Sequence, residues 1–351
     1  MARESLTKIA YKTLQQGKSI AGLAHKEISS RIMNIISPDN KLNSFDLDKN
    51  LLLDIQNSMD ILREEDWDDA ENGIYPQKIL FDEPWLRYLT QYPKVWLDMP
   101  NTWERRKKQN YNDLPNNIDK ENYPNYYLRN FHHQTDGYLS DFSASIYDLQ
   151  VEILFNGTAD SMRRRILKPL KKGLSKFNTR KNSLVKILDV ATGSGRTLKQ
   201  LRAAFPKEKI LGIDLSDSYL KEASRFISDC DGDLIELIKA NAENLPFEDN
   251  SMQAITCVYL FHELPRTIRE KVLKEFFRVL EPGGVLILAD SIQLKDSPKF
   301  TSIMEGFYKN FHEPFYCDYI KDDLDIKMSE IGFKDIFNNS FFMTKVWSAI
   351  K

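Results

Sequence analysis

Apolar positions change their period part-way along the chain. From Leu6 to Ile35 apolar or small residues recur at Leu6, Ile9, Thr13, Gly17, Ile20, Ala24, Ile28, Ile32 and Ile35, the spacing of a helix with one packed stripe. Gly17 and Gly22 interrupt it, so the pattern predicts one or two packed helices, ended by Ser37-Pro38-Asp39-Asn40. Leu51 to Leu62 predicts a further helix, and the acidic run Glu64 to Asp69 a solvated turn. Between Trp67 and Trp103 the prolines Pro76, Pro84, Pro93 and Pro100 punctuate short predicted helices. Trp67, Trp85, Trp96 and Trp103 fall in the same segment, and indoles of that size must bury against something. The reading is a small helical cap, followed by an exposed face at Glu104 to Lys108.

Ser143 to Phe155 and Asp160 to Phe177 continue the helical spacing, broken at Asn156-Gly157-Thr158, with Arg163-Arg164-Arg165 expected on the outer side. The period then shifts. Val185 to Val190 is an unbroken aliphatic run, as a strand buried on both faces of a parallel sheet requires. A helix at Arg196 to Phe205 follows, then strands at Lys209 to Asp214, Ile235 to Ala240 and Met252 to Val258, and a helix at Arg266 to Leu280. Glu281-Pro282-Gly283-Gly284 turns the chain into a strand at Val285 to Asp290. An aromatic stretch separates it from a helix at Ile320 to Ile331, a turn at Gly332, and two strands near Phe333 to Phe337 and Phe341 to Ala349.

The strand at Val185 opens through Ala191-Thr192-Gly193-Ser194-Gly195 into a helix. Without Cβ atoms, Gly193 and Gly195 let the backbone turn sharply and approach a ligand, and the first N–H groups of the helix add a polar site. A plain strand-to-helix turn is the alternative. A dinucleotide fingerprint asks for a third glycine at position 198, which is Leu198, and this disfavours hydride chemistry. The second strand ends in Asp214, placed to accept from both hydroxyls of a ribose.

The ordered set Asp189–Gly195, Asp214, Asn241-Ala242-Glu243-Asn244-Leu245-Pro246-Phe247, Phe261-His262-Glu263-Leu264-Pro265 and Glu281–Gly284 resembles the class I S-adenosylmethionine (SAM)-dependent methyltransferases. Asp189–Gly195, Ala242–Phe247 and Phe261–Pro265 are similar to the ubiquinone/menaquinone C-methyltransferase branch. The resemblance covers Val185 to Asp290, under a third of the chain. With the pattern above it implies an α/β fold: a doubly wound, mostly parallel seven-stranded sheet whose last strand runs antiparallel, behind an N-terminal helical cap. Residues 1–142 are expected to form the extension and cap, and 143–351 the SAM-binding domain, with an aromatic pocket insertion at about 291–319. The resemblance also implies SAM contacts from Asp189, Ala191, Gly193, Gly195, Asp214, Leu215, Asn241, Ala242, Glu243 and Tyr259. Asn241 to Glu243 would face the adenine, with Asn241 replacing the usual acid.

Composition narrows the partners. The chain of 351 residues has 49 basic against 51 acidic side chains, which argues against a nucleic-acid surface. Cys230, Cys257 and Cys317 are far apart, so reduced, packed thiols and no zinc site are expected. Met1 to Ala10 has no apolar leader core, and no run reaches bilayer-spanning length. The expectation is a cytoplasmic chain without an integral membrane segment. Peripheral membrane contact stays open for a lipophilic acceptor, and Lys8, Lys12 and Lys18 make a surface helix the alternative reading of the first stripe.

SAM carries an electrophilic methyl on a positive sulfur, so no metal and no covalent nucleophile is required of the protein. Alignment of the acceptor accounts for roughly 7–11 kcal/mol of barrier lowering, and a base adds about 10²–10⁴-fold. The segments Tyr123 to Ser140 and Phe300 to Tyr319 are rich in rings and poor in clustered cations. A small, largely apolar, aromatic or quinone-like acceptor is expected, rather than a nucleic acid or a phosphorylated one. Four of the five histidines, His132, His133, His262 and His312, lie in segments assigned to the pocket; Tyr138 is a further wall candidate. His262 and Glu263 are the first candidates for the base, then His132 and His133, with histidines merely hydrogen-bonded beside a strand end as the alternative. A nucleotide-dependent oxidoreductase, or a SAM-binding protein without methyl transfer, are the other classes open.

Overall fold

The structure is a computed structural model that describes residues 5–36, 48–116, 118–177, 184–228, 230 and 235–351. Its centre is a seven-stranded sheet of order β3-β2-β1-β4-β5-β7-β6. The strands are β1 (Lys186–Val190), β2 (Lys209–Asp214), β3 (Glu236–Lys239), β4 (Met252–Val258), β5 (Leu280–Ser291), β6 (Lys334–Phe341) and β7 (Thr344–Ile350). Strands β1 to β5 pair in parallel, and β7 runs antiparallel to both β5 and β6. Chain direction reverses its side-to-side progress between β1 and β4, so a crevice opens at their carboxyl ends.

Alternate residues of each strand enter different cores. Leu188 and Val190 pack with Leu211, Ile255 and Leu286 on one face, while Ile187 packs with Ile210, Ala254 and Ile287 on the other. Helices α7 (Arg196–Ala204), α8 (Asp217–Ile227) and α9 (Arg266–Val279) connect the strands, as a doubly wound sheet requires. Glu281-Pro282-Gly283-Gly284 lies inside β5 rather than before it, as an irregularity in its pairing with β4 between Met252 and Ala254. After β5 the insertion forms α10 (Thr301–Asn310) and α11 (Tyr316–Tyr319), followed by α12 (Leu324–Ile331), which ends on Gly332 in the left-handed region.

The front is helical: α1 (Leu6–Ile36), α2 (Lys49–Glu71), α3 (Trp85–Lys108), α4 (Asp141–Leu154), α5 (Ala159–Arg164) and α6 (Leu167–Leu174). The stripe from Leu6 is one helix, uninterrupted by Gly17 or Gly22. Its predicted stop at Ser37 to Asn40 lies outside the described residues. Several expectations need correction here. The acidic run Glu64 to Asp69 is no turn; it continues α2, with Asp66 and Asp69 buried. Arg163, Arg164 and Arg165 are buried too, not on an outer face. Arg164 Nε donates to Asp66 Oδ1 at 2.8 Å, and Arg165 Nη1 to Asp69 Oδ2 at 2.8 Å. Pro93 and Pro100 sit inside a continuous α3, both exposed, where water can satisfy the carbonyls they leave free. Trp67 and Trp103 are buried, whereas Trp85 stays 46% exposed and Arg105 is buried within the supposed exposed face. Among the described residues no helix is long and apolar enough to cross a membrane.

Candidate functional site

Backbone geometry marks the crevice first. Ala191, Gly193 and Gly195 take φ of 57°, 54° and 86°, and Tyr259, at the end of β4, takes 60°. Left-handed backbone at Ala191 and Tyr259 is strained for residues with a Cβ, and each follows the end of a strand at the cleft. The loop is tied from behind. Asp189, 1% exposed, accepts from Thr192 Oγ1 at 2.7 Å and Thr256 Oγ1 at 2.6 Å. Burial pushes its carboxyl up to about 6, and the two threonine donors pull partly the other way. A Cβ on Gly193 would meet nothing within 4 Å, so this residue opens on the cleft. At Gly195 it would meet Ala223 at 3.1 Å, so this glycine lets α7 close on α8. Leu198, at the third-glycine position, is fully buried against Gly212.

Asp214 faces the cleft while accepting Gly193 N–H on Oδ2 at 2.8 Å and Ser216 N–H on Oδ1 at 2.9 Å. Burial pushes this carboxyl up to about 6 as well, against those backbone donors. Ala191, Gly193, Leu215, Asn241, Ala242 and Tyr259 join Asp214 on the wall. Asp189, Gly195 and Glu243 do not line it. Asn241 Oδ1 already accepts Glu243 N–H at 2.9 Å, closing a local turn. Glu243 turns away to take the Tyr126 hydroxyl at 2.6 Å and Lys271 at 3.1 Å.

That Tyr126 contact belongs to a strap, residues 123–140, laid across the strand ends. Ser216 Oγ donates to the Tyr138 carbonyl at 2.6 Å, and Gln134 Nε2 to the Tyr219 hydroxyl at 2.9 Å. Tyr126, Tyr127 and Tyr138 thereby line the cleft with Tyr147 from α4, Arg163 from α5 and Tyr219 from α8. Sequence reasoning missed Tyr147, Arg163 and Tyr219. For Arg163 a signal was present: Met162 and Ile166, which flank the arginine run, are both fully buried.

Glu263, in the turn after β4, lines the same cleft as Asp214. The Tyr138 hydroxyl donates to Glu263. His262 Nδ1 is 2.7 Å from Asp290 Oδ1 at the end of β5, and His262 Nε2 is 3.9 Å from Glu263 Oε1. Burial disfavours the His262 imidazolium, but Asp290 and then Glu263 outweigh it and hold the ring up to about 9. His132 joins from the strap, Nε2 at 3.4 Å from Glu263 and Nδ1 at 2.7 Å from Glu313 in the insertion. Burial again opposes its charge, and Glu313 with Glu263 carries it up to about 10. His133 is separate from this group, and of these candidates Glu263 lines the cleft while His262, His132 and His133 do not. Burial, with His312 and Arg106 nearby, lowers it to about 4, and its ring lies 5.9 Å from that of Tyr111. The sequence led us to expect no metal; the structure nevertheless gathers His132, Glu263 and Glu313, three side chains of ligating type.

A family model described as a methyltransferase domain matches residues 187–284. The demethylmenaquinone methyltransferase of Thermotoga maritima is 32% identical over 177 residues, 50% of this chain and 70% of that protein. The chain belongs to the class I SAM-dependent methyltransferases. Its match to the demethylmenaquinone methyltransferase of Listeria monocytogenes, 30% identical over 124 residues, spans 35% of this chain and about half, 51%, of the relative. The solved human N-acetylserotonin methyltransferase in complex with SAM is 14% identical, with a TM-score of 0.46 over 60% of this chain and 56% of that one. This methyltransferase is of the ubiquinone/menaquinone-like branch, and SAM is its cofactor. The wall suits that molecule. Asp214 would hold the ribose hydroxyls, Gly193 leaves open space on the cleft, and Arg163, paired with Asp160 at 2.9 Å, is a buried cation on the wall.

Proposed function

We propose that the chain moves a methyl group from SAM to a small, largely apolar acceptor bearing a hydroxylated or activated aromatic ring of quinol type. The observation that supports this most is one cleft lined by both Asp214 and Glu263 together with Tyr126, Tyr127, Tyr138, Tyr147 and Tyr259. The names of the Thermotoga and Listeria relatives, both demethylmenaquinone methyltransferases, support ring chemistry.

When bound, SAM supplies an electrophilic methyl on a cationic sulfur. Asp214 and the Gly193 loop bind and orient the nucleoside end. The tyrosine faces exclude water and leave a flat acceptor few orientations, which is where most of the barrier lowering by alignment arises. Glu263, with the His262–Asp290 pair beside it, holds and moves the proton at the acceptor's reacting atom.

The test combines methyl-labelled SAM with a panel of hydroxylated aromatic and quinol acceptors. S-adenosylhomocysteine release should depend on the acceptor. Glu263→Gln and His262→Gln should each lower turnover, by about 10²–10⁴-fold for a lost acid–base group, with SAM affinity unchanged. Release that ignores every acceptor, or full turnover in both variants, would sink the reading.

A further inference from the structure

Two carboxylates, one of them Glu263 of the cleft wall, meet one imidazole. His132 Nδ1 lies 2.7 Å from Glu313 Oε1, and His132 Nε2 lies 3.4 Å from Glu263 Oε1. One ligating atom from each residue falls within 4.8 Å of the other two. The Glu313 side chain has 0% exposure; among the described residues its Oε1 pairs with His132 alone, and its Oε2 has no hydrogen-bond donor. Among the described residues, no lysine or arginine comes within ion-pair distance of Glu263 or Glu313. Two buried carboxylates that share one imidazole carry more negative charge than that ring can balance, which is costly, and a doubly charged ion would offset it.

We propose that His132, Glu263 and Glu313 bind one divalent cation of the Mn²⁺ or Zn²⁺ type, whose open positions hold an oxygen of the acceptor. One imidazole with two carboxylates is a nitrogen–oxygen set that such ions accept, and three protein ligands leave positions free for a small molecule. Those positions face the reaction space, because Glu263 is itself on the cleft wall. The Tyr138 hydroxyl orients the Glu263 carboxylate, in the manner of the outer partners that steady metal ligands. The ligands come from the strap, the end of β4 and the loop before α11, so the ion also fastens the strap and insertion to the sheet. Its place in the reaction is to bind the acceptor hydroxyl and favour its anionic form, the proton passing to the Glu263 oxygen that does not hold the ion. That last role rests on the methyl-transfer reading; the cation site does not.

The experiment is calorimetric titration of Mn²⁺, then of Zn²⁺, into the full-length chain stripped with a chelator. Saturable binding at one site per chain is expected, weakened at least about tenfold in Glu313→Gln, with SAM binding by the same method unchanged as a check on folding. Electron spin-echo spectra of the Mn²⁺ complex should show an imidazole-nitrogen modulation that His132→Gln removes. Absence of saturable binding for both ions, or binding undiminished in Glu313→Gln, would overturn the site. Because the titration needs no acceptor, its outcome is independent of whether any acceptor is methylated.

Discussion

At the end of β2, Asp214 holds two backbone donors and still presents its carboxylate to the cleft. A hydrogen bond to a charged group contributes about 1.5–3 kcal/mol. Asp214→Ala should therefore weaken SAM binding by about tenfold to a hundredfold, and it also leaves the Gly193 and Ser216 N–H groups without their acceptor. Calorimetric titration is the check, and unchanged affinity in a normally melting variant would remove Asp214 from the site. Strand-end position made this residue legible in the sequence. Asp189, Gly195 and Glu243 belong to the same motifs without lining the cleft, because a motif names residues without saying which way each side chain points. Asp189 faces Thr192 and Thr256, and Glu243 faces Tyr126. His262 and Glu263 were legible together as residues following β4. Their partners Asp290, His132 and Glu313 come from three other segments, and no local pattern announces such convergence.

Helix α2 and the α5 region show the opposite failure, two charge runs read as solvated faces that bury against each other. Asp66 accepts from Tyr11 at 2.8 Å, Tyr75 at 2.7 Å, and both Arg164 and Arg165. Neither run alone shows burial, since only the pairing makes it affordable, and the pairing spans almost a hundred positions. The strands were legible for the converse reason: aliphatic runs buried on both faces need no distant partner to be recognised. Burial alone pushes the Asp66 carboxyl up, but Arg164, Arg165 and Tyr75 more than reverse this and hold it well below the usual carboxylate range. A depressed native value stabilises the fold above the unfolded carboxyl value, near pH 4, and that contribution is lost as pH falls toward the native value. Asp66→Asn should cost about 3–5 kcal/mol at neutral pH by leaving buried arginines unpaired. Melting temperatures from neutral pH down to about pH 3 should show a smaller acid-induced loss in the variant than in the parent. Parallel melting curves with no difference at neutral pH would refute a buried ionic anchor.

For the whole molecule, the cap shares its core with the sheet. Tyr11 of α1 and Trp67 of α2 belong to the same apolar cluster as Ile187 of β1 and Ile210 of β2. The charged contacts tell the same story, because Arg164 and Arg165 find Asp66 and Asp69 in α2, and Arg196, beside the glycine loop, lies 3.8 Å from Glu83. The strap adds a third connection, placing Tyr126, Tyr127 and Tyr138 over the strand ends. A chain beginning at residue 143 would lose all three at once. Arg164 and Arg165 would lose their acidic partners, a side of its core would open to water, and the cleft would lose one wall. The expected result is a fragment with no cooperative thermal transition and no measurable SAM binding, whereas the full chain melts in a single transition stabilised by SAM. Differential scanning calorimetry of both chains, with and without SAM, decides the matter. A fragment that melts cooperatively and binds SAM as tightly as the parent would show that residues 1–142 are an independent addition rather than part of the fold that forms the site.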